Sequence, residues 1–339
     1  MASENNLTAV FTDIANAIRD KKGSVNTIKP VNMADEINSI QVGGGVKDFI
    51  TTRNARYLFY DCGSLTSEQL ASILKYDDTS GATNMGNMFY SCSNLTTIPL
   101  IDTSKVTYMG NMFYSCSNLT TVPLIDTSNC TNMNNMFTGC SKLTSIPQLD
   151  TSKVTNMSTM FRNCKKLTTI PQLDTSKVTN MFQMFYICSK LTSIPQLDTS
   201  KVTNMSTMFR ECSKLTTIPQ LDTSKATDMS SMFQNCYVLE KIDIPKLASG
   251  TNYNNYFASN CYSLKTLIIR TMNTIPALAS YAFYECYHFT GTQNDYYNPN
   301  GLKDGRIYVP DDKVETLKTT TNWSVFADII KPLSEYTGE

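Results

Sequence analysis

The phrase Leu-Thr-Thr-Ile-Pro-Gln-Leu-Asp-Thr-Ser-Lys-Val-Thr-Asn-Met recurs down the middle of this 339-residue chain with a 24-residue period. Cys92, Cys116, Cys140, Cys164, Cys188, Cys212 and Cys236 stand one period apart without a slip. A Met-x-x-Met-Phe block precedes each, from Met85-Met88-Phe89 to Met229-Met232-Phe233. A unit this short cannot bury its apolar face alone. It stacks on its neighbours, and one core grows along the array. A chain built this way presents surface, and binding is the function class to look for.

Within a repeat, apolar residues follow the cysteine at three, six and nine places: Leu167, Ile170 and Leu173 after Cys164. Val178, Met181, Met184, Phe185 and Cys188 come next. The first group predicts a short strand. The second, spaced i, i+3, i+6, i+7, predicts one or two turns of helix. Between them, Asp174-Thr175-Ser176 are good cap formers. The expected fold is an α/β repeat solenoid, leucine-rich-repeat-like, with a short strand and a short helix per repeat. It carries a small N-terminal helical segment and a C-terminal α+β cap.

Five segments are expected. Residues 1–45 form two short amphipathic helices, with Leu7, Val10, Phe11, Ile14 and Ile18 on one face, and end in a Gly43-Gly44-Gly45 hinge. This segment is read as an attachment or oligomerisation module. Residues 46–90 are an irregular capping repeat, 91–236 the regular array, 237–304 degenerate repeats and a polar loop, and 305–339 the cap.

Lys plus Arg number 29 and Asp plus Glu 29, so nothing steers the chain to nucleic acid or an acidic membrane. No apolar run is long enough to span a bilayer, and no membrane insertion is expected. The start, MASENNLTAVF, has neither a basic nor an apolar signal region, so synthesis in the cytoplasm is expected. Of eleven cysteines, nine track the repeat register, Cys261 and Cys286 at slightly longer spacings, and Cys62 and Cys130 stand apart. They read as buried thiols acting as small core hydrophobes, not disulfides. There is no C-x-x-C pair and one histidine, His288, so no zinc site is expected.

No pattern supports catalysis, and no catalytic residue, cofactor or metal is expected. His288 has no nucleophile or relay partner nearby in sequence. The ladder Asp102, Asp126, Asp150, Asp174, Asp198, Asp222 invites a calcium reading, but calcium-binding repeats carry several acids and a glycine per turn. Here each turn has one acid, mostly followed three places later by Lys, which reads as a helix cap with a compensating charge. The Met pairs read as core.

Core positions barely vary between repeats, so variation points to solvent or a partner. The residues two before each cysteine include Tyr90, Tyr114, Arg162, Tyr186 and Arg210. Tyr and Arg are frequent interface anchors, and these five are the candidate partner-binding residues. A Thr ladder on the strand, beginning Thr96-Thr97 and Thr120-Thr121, is a second candidate face. A tyrosine-rich end is the third: Tyr253, Tyr256, Tyr262, Tyr281, Tyr284, Tyr287, Tyr296 and Tyr297, several of them expected in the core.

The motif Cys-x-x-Leu-x-x-Ile-Pro-x-Leu-Asp-Thr-Ser-Lys-Val-Thr-Asn-Met-x-x-Met-Phe resembles the BspA-type bacterial leucine-rich repeat in its Met-Phe-rich variant. SYAFYEC, ending at Cys286, is similar to the related Ala-Phe variant. The resemblance covers about two-thirds of the chain. Its members are mostly bacterial surface adhesins and virion proteins of phages. LTAVFTDIANAIRDKKG with MADEINSI resembles the start of tail and appendage proteins in phages of Gram-positive bacteria, and RIYVPDDKVETLKTTTNWSVFADIIKPLSE is similar to C-terminal caps in the same phages. The resemblance implies a non-enzymatic virion appendage protein, a tail fibre or receptor-binding component, located on the phage and made in the host cytoplasm. It implies contact with a host surface polymer or protein, attachment to other virion proteins through residues 1–45, and a homo-oligomer, a trimer by analogy with phage fibres. The alternatives are a BspA-like adhesin on the bacterial surface and an intracellular interaction scaffold.

Overall fold

Backbone turns, not helices, build the regular repeats. In the computed structural model, which describes residues 55–74, 79–247, 256–294, 296–298 and 300–338, the Met-x-x-Met-Phe block runs as successive turns. In the block 85–92, the N–H groups of Met88, Tyr90 and Cys92 fold back to the carbonyl three residues earlier, at 3.1–3.2 Å. The alternate donors, Met85, Asn87, Phe89 and Ser91, reach the next turn instead. They meet the carbonyls of Tyr108, Gly110, Met112 and Tyr114 at 2.7–3.0 Å. The alternation needs two left-handed residues per turn, Asn87 at φ 60° and Ser91 at φ 57°. Short polar side chains tolerate that region best.

The helix expected in each regular repeat is therefore replaced by this turn ribbon. Turns closed three residues apart put i, i+3 and i+6 on one face much as a helix does, so apolar spacing does not separate them. The donors do: beyond its first four residues a helix bonds each N–H to the carbonyl four residues earlier, whereas here alternate donors along the whole block cross-link neighbouring turns.

The strand half is also reduced. Thr120 donates its N–H to the Thr96 carbonyl at 2.9 Å, and Thr144 to Thr120 at 3.3 Å. Three residues further on, Pro99, Pro123 and Pro147 have no N–H to give, so the pairing stops. The proline column ends after Pro219. At its place stand Asp243 and Ile268, and there four-residue strands form. These are β1 (Lys241–Ile244) and β2 (Thr266–Ile269), joined by β3 (Arg306–Val309) and β4 (Ile330–Pro332) in a parallel sheet of order β1-β2-β3-β4.

The chain divides into two compact units, Met1–Val154 and Thr155–Glu339, a boundary inside the regular array. In the first, a helix α1 (Ser67–Leu74) occupies the opening turn. Its Ser67 hydroxyl donates to the Thr97 carbonyl at 2.7 Å and accepts from the Thr96 and Thr97 N–H groups. Phe59, Phe89, Phe113 and Phe137 stack face to face at 5.5–5.6 Å down the core. In the second unit Phe161, Phe185, Phe209 and Phe233 do the same, and Phe257 meets Phe233 edge-on. Fully buried methionines and cysteines line both stacks. A one-turn helix α2 (Tyr287–Thr290) follows the last ladder cysteine. After β3 comes the 3-10 turn Asp311–Lys313 and helix α3 (Val314–Thr319), near the start expected from Asp311-Asp312. Trp323 is buried, its indole N–H on the Pro276 carbonyl at 3.0 Å. The expected helices and hinge of residues 1–45 lie outside the described residues.

Candidate functional site

Each turn anchors its outward face through the cysteine. Cys92 Sγ donates to the Phe59 carbonyl at 2.9 Å, Cys116 to Phe89 at 3.0 Å and Cys140 to Phe113 at 3.1 Å. In the second unit Cys188, Cys212 and Cys236 reach the Phe161, Phe185 and Phe209 carbonyls at 3.0–3.1 Å. All eleven cysteines are buried thiols. Burial pushes Cys130 up to about 11, and ladder members such as Cys116, Cys140 and Cys188 further, so they stay protonated donors. The residue before each cysteine is left-handed, from Ser91 (φ 57°) to Asn235 (φ 63°). The side chains two before the cysteine are exposed at Arg162, half-buried at Tyr90, Tyr114, Tyr186, Arg210 and Gln234, and buried at Thr138.

The five candidate residues all stand at this place, and each unit gathers its own. In the first unit Tyr90 and Tyr114 stack at 4.5 Å with rings 1° from parallel, and Tyr60 extends the stack at 4.7 Å. All three are half-buried. Burial, then the neighbouring Tyr114 phenol, raises the Tyr90 pKa. In the second unit Tyr186 is flanked by two guanidinium groups, Arg162 at 5.3 Å and Arg210 at 5.5 Å from its ring centre. Arg162 is exposed, and Arg210 lies 3.7 Å from Glu211. Each group is a rigid π ladder, cationic in the second unit. Tyr60 was missed by sequence reasoning, although it too stands two residues before a cysteine, Cys62, in the aberrant opening repeat.

The other polar columns serve the backbone. Asp102, Asp126, Asp150, Asp174, Asp198 and Asp222 each accept the N–H of the serine two places on, at 2.8–3.0 Å. They cap turns where a helix cap was expected. The serine hydrogen bonds hold Asp150 and Asp198 below the usual carboxylate range, with the following lysine a lesser contributor. The buried threonines after them bridge to the next turn, Thr103 to the Asp126 carbonyl at 2.7 Å and Thr127 to Asp150 at 2.8 Å. On the expected Thr ladder, the Thr120 hydroxyl bonds the Thr96 carbonyl at 3.0 Å, which makes that row part of the scaffold.

The tyrosine-rich end is more exposed than expected. Tyr256, Tyr281, Tyr284 and Tyr296 are exposed and Tyr262, Tyr287 and Tyr297 half-buried, so none of these seven is core, while Tyr253 lies outside the described residues. Tyr262 stacks between Tyr237 and Tyr287 at 4.9 and 5.0 Å. Burial and then Glu285 push its phenol up to about 12. His288 is buried with Nδ1 2.6 Å from the Asp304 carboxylate, a structural pairing. Among the described residues no three His, Cys, Asp or Glu gather as a metal site, and no helix is long and apolar enough to cross a membrane.

These features define a class: a stacked-repeat protein whose polar columns hold the backbone and whose variable columns face solvent. The chain belongs to the family described as Mycoplasma protein of unknown function, DUF285, which matches residues 53–169, 83–193 and 161–269. No curated protein matches it. Among solved structures it is similar to the T. pallidum leucine-rich repeat protein, with 21% identity over 50% of this chain and 76% of that one, TM-score 0.37. It is also similar to a Bacteroides ovatus leucine-rich repeat protein, with 17% identity over 82% and 79%, TM-score 0.35. A leucine-rich cell surface protein of Faecalibacterium prausnitzii matches at 18% identity over 76% and 84%, TM-score 0.30.

Proposed function

We propose that this chain is a non-enzymatic interaction protein of a phage virion, a tail-fibre or receptor-binding component, that contacts a host surface polymer or protein. The observation that carries the binding reading is the pair of ladders two residues before the cysteines. Tyr90 stacks on Tyr114, and Tyr186 lies between Arg162 and Arg210. The repeat pattern does not dictate these identities, since Thr138 and Gln234 stand at the same place. Stacked rings are already ordered, so they meet a ligand at low entropic cost, and the guanidinium groups bring planar donors for sugar hydroxyls or phosphates. The virion assignment rests on the resemblance of both ends to phage appendage proteins. Residues 1–45 join the other virion proteins in this reading, and the assembly is a homo-oligomer, a trimer by analogy.

The test uses the full chain, fluorescently labelled, on cells and purified cell walls of Gram-positive bacteria. Replacing Tyr114, Arg162 and Tyr186 together by Ala is expected to cut binding about tenfold or more with an unchanged melting temperature. Unchanged binding moves the site to the tyrosine-rich end. Detection of the chain on the producing cell surface and not in virions overturns the phage assignment in favour of a bacterial adhesin.

A further inference from the structure

One column of the first unit departs from the pattern of the later turns. Eight residues after the cysteine stand Gln148, Gln172, Gln196 and Gln220. Gln172 Nε2 donates to the Gln196 carbonyl at 2.7 Å, and Gln196 Nε2 to the Gln220 carbonyl at 2.7 Å. Gln220 ends the series on the Asp243 carboxylate at 3.0 Å. In the two turns before Gln148 the same place holds Leu100 and Leu124. A leucine donates nothing, and these two are 75% and 65% exposed. The fold is served by glutamine at this place, so the exposed leucine pair is no packing requirement.

Leu100 and Leu124 line an open groove of about 990 Å³ together with Asp102, Asp126 and Asp150. No Lys or Arg is among the described residues that line it. Lysine follows five of the six ladder aspartates by three places, but after Asp126 the residue is Asn129, whose amide oxygen takes a hydrogen bond from the Lys153 ammonium at 2.7 Å, outside the groove lining. Three aspartates and no cation among the lining residues give the groove an acidic character at neutral pH.

We propose that this groove docks a segment of a partner protein that presents apolar side chains together with Lys or Arg. Leucine offers a polyol no hydrogen bond, so a glycan does not fit the exposed pair. The carboxylates repel an anionic bilayer surface. A second copy seated through the same face would bring like charges together. An apolar and cationic protein segment satisfies both features: the leucines supply apolar contact, and the carboxylates speed and orient the encounter. This surface is separate from the tyrosine and arginine ladders, and its test leaves those residues untouched.

The probe is a labelled synthetic peptide of alternating Leu and Lys, with a Leu and Glu peptide of equal length as control, titrated into the full chain by fluorescence anisotropy. The cationic peptide is expected to bind with a Kd on the order of 10 μM. Leu100→Gln with Leu124→Gln, the residue four later turns carry, is expected to weaken it about tenfold at an unchanged melting temperature. Asp126→Asn, a second variant that leaves both leucines in place, is expected to weaken it about threefold, as is raising salt to roughly 0.5 M. Equal binding of the Leu and Glu peptide overturns the charge argument. Unchanged affinity in both variants overturns the site. Self-association of the wild type that the leucine variant abolishes makes a second copy the occupant and overturns the partner assignment.

Discussion

Ile187 shows how one residue can oppose the fold that holds it. It is left-handed at φ 62°, at the place where Asn163 and Asn235 sit in other turns. A β-branched side chain crowds its own backbone there, while Asn is tolerated. The flanking turn bonds, Ile187 N–H to the Arg210 carbonyl at 2.9 Å and Cys188 N–H to Phe185 at 3.0 Å, over-determine the conformation. The strained residue lies beside Tyr186, in the second-unit ladder. Ile187→Asn is expected to raise stability by about 1 kcal/mol, read as a higher denaturant midpoint with an unchanged slope. Lower stability would mean that the Ile187 side chain contributes packing that outweighs the strain. Nothing in the 24-residue period announces this site, because left-handed backbone is a property of hydrogen-bond direction, and sequence spacing records only which faces are apolar. Tyr108 was equally illegible. It replaces the Asn of most other turns, and a Cβ on Gly86 would lie 2.5 Å from its ring, so the glycine supplies room.

At the scale of the element, what was legible was the register. The cysteine, methionine and phenylalanine columns are buried, and the capping role of the aspartates was read from Asp-Thr-Ser alone. The kind of element was not legible, because a ribbon of three-residue turns and a short helix share their apolar spacing. The proline column did carry information. Strands appear in the second unit where Asp243 and Ile268 replace proline, and a donor count along the chain would have shown it. The capping turns also make a pH prediction. Asp150 and Asp198 have depressed pKa values in the folded chain, first because of the serine hydrogen bonds. A depressed carboxylate contributes stability above its unfolded value, about 4, and that stability is lost as pH falls through the folded value. The melting temperature is therefore expected to drop as pH falls below about 4. Asp150→Asn with Asp198→Asn keeps the acceptor oxygens and removes the titration, so its drop is expected to be shallower. Parallel curves for the two proteins would assign the acid sensitivity to other groups.

At the scale of the molecule, stability in a stacked array comes from each turn and its contacts with the next, so damage is local. Met184 is fully buried in the second unit. Its N–H closes on the Met181 carbonyl at 3.1 Å, and its own carbonyl receives the Phe161 N–H of the preceding turn at 2.9 Å. Truncating it removes methylenes and the sulfur from between turns that cannot collapse, because the Phe stack and the thiol bonds fix their spacing. Met184→Ala is expected to cost about 2–5 kcal/mol. The loss is expected to appear in amide hydrogen exchange as lower protection across residues 157–212, the mutated turn and its two neighbours. Protection in the parallel sheet of the same unit, β1 to β4, is expected to change much less, since the sheet begins at Lys241, beyond the neighbouring turn, and is held by its own pairing. A uniform loss across 157–332 would mean that the unit unfolds as one cooperative body, and the nearest-neighbour account of its stability would fail.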